Sequence, residues 1–391
     1  MTCRSLIAAL VSLLLVSTAW GREEEPRPTR PKRPGEAELV RSARTDVTRA
    51  QIEAVERALD YLADHQNPDG SWNEENPSNI AVTSLVLLAM MANGNTETRG
   101  KHHVEVQKGV QFLLDKVQVT AALDEGIPAG YIHEKRDTMS RMHGQGYATT
   151  VLALAYGMGD RERDPARKEY MRSRLELAVQ CIEKAQHESG GWWYQPTAAK
   201  HHEGSITVCQ IQALRAAREA GVKVNKSVID RAIVYMERSQ GPDGGFCYSL
   251  SERQRRTYAL TAAALSTLFG LGEYDRTDMI RKGLGYMRDR HGRPMYMGRQ
   301  GWFFYANFYA AQSLWQASAD QRLAHFWREW WPGMRDFLID SQRKDNPEAT
   351  YYGSWTYTAG TGTLGVGRVY ATAMCTLILE VPLSILPMFQ R

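Results

Sequence analysis

Cysteine is scarce in this chain. Its 391 residues hold five, none of them in a CxxC pair. A dense disulfide framework is therefore neither indicated nor needed in a chain of this size. An excess of one charge is also missing. Forty-eight basic residues against forty-four acidic ones leave a formal charge of +4. No long basic run appears outside one short segment, so nucleic acid is not a favoured partner. Long apolar runs are limited to one, Leu6 to Val16, which is too short to span a bilayer. No later segment has the unbroken apolar length of a membrane helix, so no integral span is expected after cleavage of a signal.

That apolar run follows Arg4 and precedes the small residues Ala19 and Gly21. The layout is that of a secretory signal, residues 1–21, and it predicts an exported, periplasmic or extracellular protein. Residues 22–45 are rich in proline and mixed charge, with almost nothing to bury, and read as a disordered linker. The folded domain is placed at residues 46–391. Cys181, Cys209, Cys247 and Cys375 remain in it, and three pairings are open to them.

Within this domain a pattern recurs six times. A small or medium residue is followed three positions later by a residue that is usually aromatic, and then by an aliphatic. The copies are Ala58-Tyr61-Leu62, Gly109-Phe112-Leu113, Ala178-Cys181-Ile182, Ala232-Tyr235-Met236, Gly283-Tyr286-Met287 and Met334-Phe337-Leu338. Each sits late in a segment of helical period. Several are followed by a turn ending in an aromatic: Gln66 to Trp72, Ser189 to Trp192, Gln240 to Phe246 and Gly353 to Trp355. The second and fifth copies of the turn are degenerate, around Gly130-Tyr131 and Met295-Tyr296. After each turn comes a segment poor in charge and rich in small residues: Ile80 to Met91, Tyr147 to Tyr156, Ser205 to Ala216, Tyr258 to Phe269, Trp302 to Trp315, and Val369 to Leu379. A helix apolar nearly all round is buried, and an amphipathic one lies outside it. Six outer and six inner helices predict an all-α fold, an α6/α6 toroid.

The stretch Gln66 to Trp72 resembles the QW repeat of squalene and oxidosqualene cyclases, and Gln240 to Phe246 is similar with Phe in place of Trp. Helix pairs joined by such turns also resemble the β subunits of protein prenyltransferases. The domain is thus similar to the prenyltransferase/squalene-oxidase repeat superfamily, whose fold is this toroid. His143 to Thr149, Ala155 to Met158 and the C-terminal Leu386 to Arg391 look like a group of exported bacterial repeat proteins without assigned function.

The catalytic motifs of these families are absent. Squalene-type cyclases begin an inner helix with DxDD, whose central acid protonates an alkene. No DxDD occurs, and the matching helix offers His143 and no carboxylate. Prenyltransferases hold zinc with an Asp, a Cys two residues later and a His on the next inner helix. Here the matching positions are Glu203, Ser205 and Ala259. Two of three ligands are missing. The Cys-Gly-Glu-Gln centre of thioester toroids is also missing. No metal and no cofactor are expected.

His201-His202-Glu203 and His102-His103 read as solvated loops. Cys181, Cys209 and Cys375 read as core, whereas Cys247, after the Gly-Gly-Phe turn, is expected to be accessible. Arg253, Arg255, Arg256 and Arg368, near inner-helix starts, read as a solvated rim that could attract an anion. Trp327, Trp330 and Trp331 lie on the last outer helix and are expected to be partly exposed, as a partner surface. His143 and Glu203 are the candidates for catalysis. Tyr147, Ser205, Tyr258, Trp302, Tyr305, Arg368 and Tyr370 are the candidates to line a central cavity. Aromatic walls of this kind suit apolar chains or the faces of sugars.

Three functions fit. The first is binding of an apolar or extended ligand, or of a protein partner, without catalysis. The second is an isoprenoid-active enzyme with an unfamiliar acid. The third is a polysaccharide-active enzyme, which needs two facing carboxylates about 5–10 Å apart.

Overall fold

The computed structural model describes residues 46–73, 79–122, 127–159, 164–198, 201–273, 276–291, 302–356 and 367–390. The expected signal and linker, and the turn at Met295-Tyr296, lie outside them. Among the described residues no helix is long and apolar enough to cross a membrane.

Among the described residues twelve α-helices alternate between two layers. The outer ones are α1 (Arg49–Asp64), α3 (His103–Asp115), α5 (Pro165–Lys184), α7 (Lys226–Ser239), α9 (Thr277–His291) and α11 (Ala324–Ser341). The inner ones are α2 (Ile80–Ala92), α4 (Arg141–Met158), α6 (Gly204–Glu219), α8 (Tyr258–Leu271), α10 (Phe303–Ala317) and α12 (Gly367–Glu380). Each inner helix packs on the next, and α12 packs on α2, so the inner ring closes; α11 against α1 closes the outer ring. This is the α6/α6 toroid expected from the repeat. A two-residue pairing, β1 (Phe246–Cys247) with β2 (Arg256–Thr257), decorates the start of α8.

The burial pattern follows composition. In α2 every residue but Ala81 is buried, as a helix apolar on all sides requires. In α1 the buried residues Ala54, Val55, Ala58, Leu59 and Leu62 form one stripe. The turns tie the layers together. Trp72, Trp192 and Trp355 are fully buried, and each donates its indole N–H to a carbonyl of the preceding outer helix: Leu62, Ile182 and Leu338. Their backbone N–H groups, and that of Phe246, donate to the hydroxyls of Thr83, Thr207, Thr372 and Thr261 on the following inner helices. One aromatic thus fixes both helices of its hairpin.

A second device joins four of the six hairpins to the next. Gln66 donates to Gly70 O in its own turn and to Glu105 O on α3. Gln186 does the same with Gly190 O and Val228 O on α7, and Gln240 with Gly244 O and Met279 O on α9. Gln342 bonds Gly353 O and Ala54 O on α1, which closes the ring. The turn glycines sit at positive φ, +89° at Gly70 and +85° at Gly353, and a Cβ there would overlap the backbone of Lys108 or Arg57. In the degenerate second turn, Gln145 reaches from α4 to bond Gly130 O and Ala178 O.

Several expectations are corrected. Trp327, Trp330 and Trp331 are buried. Trp327 and Trp331 stack 4.7 Å apart, and both indoles donate to Asp46, so they form a core between α11 and the chain leading into α1. Cys247 is buried rather than accessible, because it lies in the short pairing with β2. The four cysteines are free. His102 is buried, receives Asp60 at 3.3 Å, and is no loop residue in solvent, whereas His103 is exposed.

Gly353→Ala and Gln342→Ala should each destabilise the protein. Glycine at +85° with no space beside it, and a buried amide with two acceptors, are each worth about 1–3 kcal/mol. Urea unfolding should show this, with Ile385→Ser on the surface changing stability by less than about 0.5 kcal/mol.

Candidate functional site

The brace threonines set a common register for the inner helices. Thr83, Thr207, Thr261 and Thr372, with Gln145 and Asn307 at the matching positions, each stand four residues after a first position. The first positions are Asn79, Arg141, Glu203, Thr257, Phe303 and Arg368. Two residues further along come Ala81, His143, Ser205, Ala259, Tyr305 and Tyr370. All six are partly exposed, whereas most of their neighbours on the inner helices are buried. They form a ring at the mouth where the inner helices begin.

Four residues later comes a second ring: Leu85, Tyr147, Cys209, Ala263, Tyr309 and Met374. Spacings of four keep side chains on one helix face. All of this ring is buried. Tyr147 and Tyr309 stand on helices two and five of the inner six, opposite each other, and their hydroxyls meet at 3.3 Å. Cys209 Sγ lies 3.7 Å from the Tyr309 hydroxyl, which also donates to Gln212. These side chains close the lumen one layer down, about 6 Å below the mouth ring at 1.5 Å per residue. At the far end a small cleft remains between the C-terminal segment and Thr150, Leu154, Gln212 and Ser266. There Trp315 donates to Phe389 O and Gln316 to Met388 O, which anchors the C-terminal segment on α10.

The candidate cavity residues therefore separate. Ser205, Tyr305 and Tyr370 lie in the mouth ring with His143, and Tyr147 belongs to the floor. Tyr258 stands one position too early in its helix and is buried on the side facing Trp330 of α11. Arg368 lies on the rim with its guanidinium 5.6 Å from the Tyr351 ring. Trp302 is 61% exposed at φ +75°, at the start of α10. The basic rim is largely paired: Arg256 with Asp243 at 2.8 Å and Arg255 with Glu252 at 3.4 Å. Tyr194 and Tyr248 were not singled out in the sequence, and Tyr309 stood there only as one of the dense aromatic run of Trp302 to Trp315, some of which must face the cavity. The +4 spacing from Tyr305 picks Tyr309 out of that run. Tyr194 and Tyr248, whose hydroxyls meet at 3.2 Å beside His143, sit in turns where no period marks them.

Glu203 is not in a solvated loop. It is fully buried and caps α6, accepting from Ser205 N at 2.8 Å and Ile206 N at 2.6 Å. The Ser205 hydroxyl donates to both its oxygens, at 2.8 and 2.9 Å, and stands 3.2 Å from His143 Nε2. Burial pushes the Glu203 carboxyl up to about 7, against these hydrogen bonds, which favour the charged form. Burial holds His143 down at about 4, so its imidazole is neutral at pH 7. His202, half-buried, has Nδ1 3.1 Å from the Tyr235 hydroxyl, and His201 is exposed. Among the described residues no group of three His, Cys, Asp or Glu is placed to hold a metal ion.

No family model and no curated protein sequence matches the chain. Solved structures do. A D-mannose isomerase superposes with a TM-score of 0.59 at 10% identity, covering 86% of this chain and 98% of its own. Cellobiose 2-epimerase from Bacillus thermoamylovorans gives 0.59 at 10% identity, over 88% and 99%. The type II terpene cyclase MstE from Scytonema gives 0.54 at 14% identity, over 86% and 98%. The shared property is the α/α toroid. Identities this low carry the fold and nothing finer.

The raised Glu203 carboxyl makes stability depend on pH. Below about 4.5 it is protonated in both folded and unfolded chains. Between 4.5 and 7 the unfolded chain loses the proton first, so stability falls as pH rises through the folded value. Glu203→Gln removes this loss. Relative to the parent, its stability should gain about 3 kcal/mol between pH 4 and pH 8. Chemical unfolding across that range measures it.

Proposed function

We propose that the chain is an exported binding protein whose mouth ring receives an extended, polyhydroxylated ligand. The carrying observation is the floor. Tyr147 and Tyr309 close the lumen one layer below the mouth, so a long apolar chain has no channel to enter. The ligand must lie across the opening.

The order of the mouth ring supports this. Ala81 and Ala259 face each other across it. His143 and Ser205 lie on one side of that diameter, and Tyr305 and Tyr370 on the other. The two alanines are the smallest side chains of the ring. One wall offers hydrogen-bonding groups and the other aromatic faces, a combination suited to sugar rings. The toroids of D-mannose isomerase and cellobiose 2-epimerase, by their names, act on sugars. The terpene cyclase in the comparison keeps the isoprenoid reading in view, but the buried second ring disfavours it. Glycoside hydrolysis calls for two carboxylates. None of the six ring positions is itself a carboxylate, and Glu203 reaches the ring only through Ser205, which weighs against that reading. Export rests on the charged, apolar and small-residue layout of residues 1–21.

Titration calorimetry with cellobiose, mannose and their linear oligomers, and with geranylgeraniol, tests the reading. Saturable sugar binding is expected, weakened at least about tenfold by Tyr370→Ala or Ala259→Trp. Tight geranylgeraniol binding without sugar binding would contradict it.

A further inference from the structure

We infer that His143, Ser205 and Glu203 form a proton relay that removes the proton beside a carbonyl in a bound hydroxy-carbonyl compound, the open-chain end of a sugar. The inference rests on the proposed sugar binding and adds a reaction to it.

The hydrogen bonds fix the direction of the relay. The Ser205 hydroxyl donates to Glu203, so its lone pairs face His143 Nε2 at 3.2 Å. A neutral imidazole then carries its proton on Nε2 and leaves Nδ1 as an acceptor. An imidazole held below its ordinary range is a poor place to store a proton. The relay avoids storing it there. When a substrate C–H gives its proton to Nδ1, the Nε2 proton passes to Ser205 Oγ, and the serine proton passes to Glu203. The imidazole and the serine end neutral. Glu203 ends protonated, and the substrate carries the negative charge as an enolate. Glu203 suits this role because it is buried and takes up a proton near neutrality.

The opposite wall supplies the second part. Tyr305 lies across the mouth ring from His143, and its hydroxyl is buried without a hydrogen-bond partner in the structure. A buried hydroxyl without a partner is costly, and a ligand oxygen would satisfy it. Placed there, the carbonyl oxygen accepts a hydrogen bond that strengthens as it gains charge in the enolate. The reacting carbon then lies between base and donor, over the small side chains of Ala81 and Ala259. Reversing the relay returns a proton to the same carbon, or to its neighbour after the hydroxyl proton shifts, so no oxidant or reductant is needed.

The test uses the whole protein in D2O with mannose, glucose and cellobiose, followed by proton NMR at C2, with calorimetry of the same sugars in parallel. The expected result is loss of the C2 proton signal, slowed at least about a hundredfold in His143→Ala, Glu203→Gln and Ser205→Ala. Ser205→Thr, which keeps the hydroxyl, should restore exchange. Calorimetry should show that Glu203→Gln still binds, which separates the relay from the fold and from binding. Sugar that binds while its C2 proton persists overturns the relay and leaves the binding reading intact. Exchange that survives Glu203→Gln also overturns it. Absence of binding by any of the sugars overturns both.

Discussion

The structure depends on the clamp between one turn and the next outer helix. A glutamine side chain holds its own turn and reaches a carbonyl of the following hairpin. A glycine at positive φ lets the two backbones touch. Gln66, Gln186, Gln240 and Gln342 do this in the same way. The last of them reaches α1, so ring closure uses the same contact as ring propagation. A repeat protein whose units bury their faces only against neighbours gains most when the last unit finds the first. The clamp also fixes rotation. With four of the six hairpins held in this way, position +2 of the inner helices faces the mouth and +6 faces the floor.

The two rings then divide the labour. Brace residues such as Trp72, Thr83 and Gln186 carry the architecture and never reach the lumen. The ring positions are free to vary, and they do: alanine at two, histidine, serine and tyrosine at the others. The second and fifth hairpins depart furthest from the consensus. Their inner helices, α4 and α10, begin without a side-chain cap, next to residues at positive φ, Arg141 and Trp302. They also bring His143 with Tyr147, and Tyr305 with Tyr309, to opposite sides of the lumen. Local rules are broken where the side chains of interest stand, as expected of sites that trade regularity for chemistry.

The fold was legible because its signals are local. The Gly-Ser-Trp and Gly-Gly-Phe turns and the alternation of charged and apolar helices lie within short windows of sequence. The site was legible only in part. His143, Ser205, Tyr305 and Tyr370 stood out by residue type, but their common register is visible only through the threonine braces. Tyr258 is one residue out of phase and turns to the outer layer. Glu203 looked like part of a polar loop, since nothing in His201-His202-Glu203 shows that the third residue caps a buried helix. The three tryptophans of α11 looked like a surface because their partners are far off in sequence: Asp46 for Trp327 and Trp331, and Tyr258 for Trp330.

The closed floor decides what can enter the toroid, and a double-mutant cycle tests it most directly. Tyr147→Phe, Tyr309→Phe and the double variant would be compared by chemical unfolding at neutral pH. Two buried hydroxyls in contact predict single-variant losses that do not add, with a coupling of about 0.5–1.5 kcal/mol. Strictly additive losses would mean the hydroxyls do not meet and would contradict the closed floor.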